Sequence, residues 1–308
     1  MLLSDLPTEL IQLIFNRLGT ERDILLLLQV NRILYNIGLP ILYQYNIKHS
    51  GSSALHWCAK KGNETVAERI LDCGLSPDLN TPPKAELSPL RLAIDHDHEN
   101  MVKFLLDHGA LANGPLLVHR AVVKGKTEVV KLLLDHGGDV NSLDAYGHTL
   151  LNRAACHGVE LVQLLFDYGA DIKEAEKSPT RVTPLHIAAE SSDNQSLDVL
   201  ALFLDNGADV NAVESSRETP LHWAASRHHD KLKILLDRGA NVNPRNNIGG
   251  TPLHRASEYG LDINMQVLLD YGADSTAVNN RGLSPSQVYR KKADRPVRPV
   301  SRGFVENR

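Results

Sequence analysis

Aromatic residues are scarce, at 5% of the chain, so any core must be built from aliphatic side chains. Cysteine occurs three times, at Cys58, Cys73 and Cys156, with no Cys-x-x-Cys. That excludes a secreted disulfide scaffold and fits a reducing interior. The longest uninterrupted aliphatic run, Ile24 to Leu28, is far short of the ~20 residues that span a bilayer. The opening Met1-Leu2-Leu3-Ser4-Asp5 lacks a cationic region, so no secretory signal is expected. Neither charge sign dominates: 33 Lys+Arg against 37 Asp+Glu give a net charge of −4. A basic field for nucleic acid or an anionic membrane is therefore absent. What is present is ordinary, with 308 residues, 42% apolar and 23% charged, a chain of about two domains that is neither disordered nor fibrous. An intracellular protein of the cytoplasm, the nucleus or both is the expectation.

The chain repeats itself. Thr183-Pro-Leu-His-Ile-Ala-Ala, Thr219-Pro-Leu-His-Trp-Ala-Ala and Thr251-Pro-Leu-His-Arg-Ala nearly coincide, with weaker copies from Ser53, Ser88, Leu116 and Thr149 and a truncated one from Ser284. Successive starts lie 35, 28, 33, 34, 36, 32 and 33 residues apart, a period that marks a stacked array. A second motif, Asp-x-Gly-Ala, follows in phase at Asp107, Asp167, Asp205, Asp237 and Asp270, and as Asp135-His-Gly. Thr or Ser can cap a helix with Pro in its first turn, and the Ala pair lets that helix lie close to a neighbour. A polar break, often with glycine (Gly62, Gly125, Gly158, Gly260), precedes a second amphipathic helix such as that from Glu128. The Gly of Asp-x-Gly suits the left-handed position after a helix. Neither helix is long enough to stand alone, so stability must come from stacking.

On these motifs, residues 50–292 resemble an ankyrin-repeat array of about seven repeats plus a C-terminal half-repeat. The resemblance implies an all-α solenoid of helix-turn-helix units. The 28-residue interval predicts a shortened turn near Ala110–Pro115, and the fifth repeat carries extra residues around 191–196.

Residues 1–47 break the period. Leu6-Pro7-Thr8-Glu9-Leu10 is followed by Ile14, Leu18, Asp23-Ile24, Leu27 and Val30-Asn31-Arg32. Leu10, Ile14 and Leu18 form an i, i+4, i+8 stripe, and a compact trio of short helices is expected. The order Leu-Pro-x-Glu, Asp-Ile, Val-Asn-Arg resembles an F-box. Leu25, Leu26 and Leu28 add apolar surface beyond one buried stripe, which a unit so small should dock on a partner. The alternative is a cap covering the end of the array.

Fourteen histidines invite a metal reading. His56, His119, His186, His222 and His254 share the fourth motif position, where a structural histidine tying one turn to the next is expected. The His96/His98 and His228/His229 neighbours have no second ligand pair at zinc spacing. No phosphate loop, zinc-protease or nucleophile-elbow motif occurs, so neither metal, cofactor nor enzymatic activity is expected. Cys58 and Cys156 read as small buried residues, and Trp57 and Trp223 as part-buried packing groups with a secondary anchor role. Residues 293–308 read as a basic, disordered tail, with nuclear import a weaker alternative.

The two resemblances imply a substrate adaptor. The F-box face (Leu6, Pro7, Leu10, Ile14, Leu18, Ile24, Leu27, Val30) would bind the linker protein of a cullin–RING (SCF-type) ubiquitin ligase. The concave face and turn tips of the array would hold a substrate protein, through Lys60, Lys61, Asp95, His96, Val123, Lys124, Tyr146, His148, His157, Glu190, Ser226, Arg227, Asn247, Ile248, Glu258, Tyr259 and Arg281. Apart from those partners a monomer is expected. The competing expectation is a scaffold or sequestering protein whose N-terminus only caps the array.

Overall fold

A computed structural model describes residues 53–72, 88–114, 116–173, 180–191, 196–227 and 229–293. The F-box-like segment and its eight named residues, Cys73, most of the insertion at 191–196 and the basic tail lie outside them. The described residues form fifteen helices and no strands, with one isolated antiparallel bridge between Leu143 and Thr149. They fall into two compact units divided between Val140 and Asn141.

The first unit holds three helix pairs: α1 (Ser53–Lys61) with α2 (Glu64–Asp72), α3 (Pro89–Asp95) with α4 (Glu99–Asp107), and α5 (Leu117–Val123) with α6 (Thr127–Asp135). The second holds four pairs and a final helix: α7 (Leu150–Ala154) with α8 (Val159–Asp167), α9 (Pro184–Glu190) with α10 (Ser196–Asp205), α11 (Pro220–Ala225) with α12 (His229–Asp237), α13 (Pro252–Tyr259) with α14 (Asp262–Asp270), and α15 (Pro285–Ala293).

The motifs led by Thr, and the one from Ser88, have the expected role, whereas the copy from Leu116 starts at φ +66° with no side-chain cap bond. Ser88, Thr149, Thr183, Thr219 and Thr251 are extended N-cap residues, and where Pro follows it occupies the first turn. Asp-x-Gly-Ala closes the second helix of a pair. In the last full pair Gly272 takes φ +86° and donates to Leu269, while Ala273 donates to Leu268 at 2.9 Å. This reciprocal pair of bonds satisfies carbonyls that the helix end would orphan. The residue between Asp and Gly reaches back to the preceding Asp: Arg238 meets Asp205 at 2.7 Å and the Tyr271 hydroxyl donates to Asp237 at 2.6 Å. The Ala pairs 154/155, 188/189 and 224/225 are fully buried, as are Leu221, Leu232 and Leu235, so the core is aliphatic.

Gly158 lies in the break between α7 and α8, as the N-cap of α8 with φ −68°. Two expectations need correction. Cys156 is exposed, because α7 stops at Ala154 and the chain turns there. Cys58 is buried, and burial pushes its thiol up to about 11. Trp57 is 52% exposed, while Trp223 is half-buried edge-on to His186 at 5.4 Å.

Candidate protein-binding surface

The motif histidine sets the framework that presents this surface. His186 Nε2 lies 3.0 Å from the Glu218 carbonyl, and His222 Nε2 is 3.2 Å from that of Gly250. His254 Nε2 is 3.0 Å from the Leu283 carbonyl. A carbonyl only accepts, so the proton sits on Nε2 and Nδ1 is left to accept. It does so from the backbone N–H of Thr183, Thr219 and Thr251 at 3.3, 3.1 and 3.2 Å. Each ring thus ties its own helix start to the start of the next repeat, with both nitrogens committed. Burial holds His186 and His222 down to about 4 and lowers His254 as well. Asn152 does the same work without titrating: its Oδ1 accepts from Thr149 N–H at 3.1 Å and its Nδ2 donates to Val182 at 2.8 Å.

Between pairs in the second unit the chain makes short fingers at 144–148, 214–218, 246–250 and 279–283. The first residue of each accepts two backbone N–H groups from its own turn. Asp144 takes those of Tyr146 and His148 at 2.8 and 2.9 Å, and Glu214 those of Ser216 and Glu218 at 2.8 and 3.0 Å. Asn246 and Asn279 repeat the pattern with Ile248/Gly250 and Arg281/Leu283. Burial alone would raise the Asp144 carboxyl. The His148 N–H, the Arg153 guanidinium and the Tyr146 N–H together bring it to about 2. Glu214 is likewise held below its ordinary range, against burial, by the Ser216 and Glu218 N–H groups and the Ser215 hydroxyl. Neighbouring fingers join in a ladder: Ser215 N–H to Thr180 O at 3.1 Å, Asn247 N–H to Ser216 O at 2.9 Å, and Asn280 N–H to Ile248 O at 3.0 Å.

On this frame the residues expected to bind substrate fall at two places. Lys60, Lys61, Asp95, His96, Val123, Lys124, His157, Glu190, Ser226, Arg227, Glu258 and Tyr259 lie at or just past the ends of the first helices. Tyr146, His148, Asn247, Ile248 and Arg281 lie on the fingers. Several are occupied by repeat-to-repeat contacts. Asp95 is paired with Arg120 at 2.6 Å, Lys124 binds the Asp95 carbonyl and the Asp97 carboxylate, and Glu190 meets Arg227 at 3.4 Å. The Ser226 hydroxyl donates to the Trp223 carbonyl at 2.7 Å. Others are open, above all Tyr146 (73% exposed), Ile248 (63%) and Val123 (56%). Ile248, Glu258 and Arg281 come together with Arg255, Asn280 and Val288 around a cleft of about 310 Å³. The arginines at 181, 217, 245 and 255 were missed by the sequence reading. Aligning the fingers reveals the first two, since they stand where other fingers carry Gly147, Gly249 and Gly282.

The family model for ankyrin repeats (3 copies) matches residues 26–115, 111–176 and 185–279. The chain is an ankyrin-repeat protein. Ankyrin repeats are in general non-enzymatic protein-interaction modules. The chain is similar to human transient receptor potential cation channel subfamily A member 1, 24% identical over 60% of this chain and 17% of that protein. It is 32% identical to the chicken nuclear factor NF-kappa-B p105 subunit over 46% of this chain and 15% of that one. It is 35% identical to the 26S proteasome non-ATPase regulatory subunit 10 of Dictyostelium discoideum, over 30% of this chain and 41% of that one. It therefore spans well under two thirds of these curated relatives. Among the described residues, no helix is long and apolar enough to cross a membrane.

Proposed function

We propose that this ankyrin-repeat protein is a non-enzymatic adaptor, whose repeats hold a substrate protein while residues 1–47 engage the linker protein of a cullin–RING ubiquitin ligase. The observation that carries the ligase half is the ordered motif Leu6-Pro7-Thr8-Glu9, Asp23-Ile24, Val30-Asn31-Arg32 with its apolar stripe. The substrate half draws on exposed side chains at the finger tips and first-helix ends, on a frame held by hydrogen bonds from repeat to repeat. The adaptor would act by raising the concentration of substrate beside the ligase. A second reading, a scaffold or sequestering protein with the N-terminus as a cap, draws on the ankyrin match beginning at residue 26, inside the F-box-like segment.

The test is capture of purified linker protein by the full chain and by a Leu10→Asp/Ile14→Asp variant. Two charges placed in an apolar contact carry a heavy desolvation cost. Capture by the wild type should fall by orders of magnitude in the variant, with the repeats' melting curve unchanged. No capture by the wild type, or equal capture by both, replaces the ligase reading with the scaffold reading.

A further inference from the structure

Four fingers of the second unit, ending at Val182, Glu218, Gly250 and Leu283, carry exposed charge of one sign only. Arg181, Arg217 and Arg281 on the fingers, and Arg245 just ahead of the third, are exposed, whereas Glu214 and Glu218 are buried and already bonded within the frame. Arg245 donates to the Val278 carbonyl and helps lower the Asp274 carboxyl, whereas Arg181, Arg217 and Arg281 make no ion pair with another described residue. Arg181 and Arg217 also sit at φ +54° and +60°, where three sister fingers use glycine. A side chain in that region strains the backbone, and such strain at an exposed tip points to a use for the side chain. The ladder from Thr180 through Ser216 and Ile248 to Asn280 makes the tips one continuous edge.

We propose that this finger edge is the docking strip for an acidic, extended segment of a partner protein, whose carboxylates meet Arg181, Arg217 and Arg281 and whose apolar residue covers Ile248. The inference rests on the reading that the repeats bind a protein, and it names the chemistry of what they bind. Guanidinium forks match carboxylates in bidentate geometry. Stacked helices lie 8–10 Å apart, so three repeat steps cover about 30 Å, the reach of roughly ten extended residues. A nucleic acid fits less well: no aromatic side chain stands on these four fingers for bases to stack on, and the chain carries a net charge of −4.

The experiment uses the full chain and a fluorescein-labelled, glutamate-rich peptide of about ten residues with a central leucine. A lysine-rich counterpart and single-stranded DNA serve as competing probes. Anisotropy should show salt-dependent binding of the acidic peptide alone. An Arg181→Gly/Arg217→Gly/Arg281→Ala variant should lose about tenfold or more of that affinity. Glycine removes strain at the first two positions, so the melting temperature should hold or rise, which separates lost binding from lost fold. Undiminished binding by the variant, no binding by the wild type, or tighter binding of DNA than of peptide overturns the proposal. Linker capture is scored in parallel. Capture without acidic-peptide binding sinks only this inference, and the reverse result sinks only the ligase reading.

Discussion

Acid should unlock this array through His186 and His222, and the size of the effect follows from the geometry. Both rings are fully buried and bonded through both nitrogens as the neutral form. Burial depresses them to about 4, against an ordinary value near 6.5 in the unfolded chain. Above the unfolded value both states are neutral and the stabilisation is whole. As pH falls below it, the unfolded chain takes up protons that the folded one refuses, and stability drains away until the folded rings also titrate near the lower value. The full loss is about 3 kcal/mol per ring, most of it already gone at about pH 4.5. Asn152 supplies the control, since it makes the same two links with a side chain that cannot protonate. A His186→Asn/His222→Asn variant should therefore lose some stability at neutral pH yet lose about 4–5 kcal/mol less than wild type between neutral pH and about pH 4.5. Urea unfolding in a Trp57→Phe background, where Trp223 reports the second unit alone, measures both slopes. Parallel losses in wild type and variant would refute the histidine account.

Leu235 is fully buried, so Leu235→Ala should cost about 2–5 kcal/mol. Gly239 has φ +85° and open space where a Cβ would sit, so Gly239→Val should cost only the backbone strain, about 1–2 kcal/mol. Equal destabilisation in urea melts would contradict the stacking argument. Lys231 is 2% exposed, and its ammonium donates to the carbonyls of Ala188, at 2.6 Å, and of Ser191 at the end of α9. Lys231→Met keeps the stem but strands those carbonyls, and should cost about 1–3 kcal/mol in the same assay; an unchanged midpoint would rule that linkage out.

The frame was legible because its chemistry recurs. Thr at a cap, Pro after it, and Gly after Asp-x each answer a local backbone need, and the structure places them where the motifs put them. Residues whose partners come from another repeat were not legible: nothing local to α12 reveals the carbonyls that Lys231 caps. Asn264 caps the Ala225 carbonyl one repeat later, at 3.0 Å, so the position is read only by aligning α12 with α14.

The division between frame and surface has a consequence for specificity. Residues that recur from repeat to repeat are consumed internally: the histidine or asparagine in the cross-repeat link, the first finger residue in its turn, the Asp-x pair in the helix-end ladder. These groups already have partners within the array. Recognition must then lie where the repeats differ, at the third and fourth finger positions. Those positions read Tyr146-Gly147, Thr180-Arg181, Ser216-Arg217, Ile248-Gly249 and Arg281-Gly282. Moving along the edge, the tips change from aromatic through hydroxyl and cation to aliphatic and back to cation. An extended chain laid along them would meet a different chemistry at each repeat step, so register as well as composition decides which segment fits. Shifting such a segment by one step would move a carboxylate from Arg217 onto Ile248, exchanging a charged contact for an apolar one. Selectivity on this edge therefore depends on the order of acidic and apolar groups in the partner, more than on its total charge.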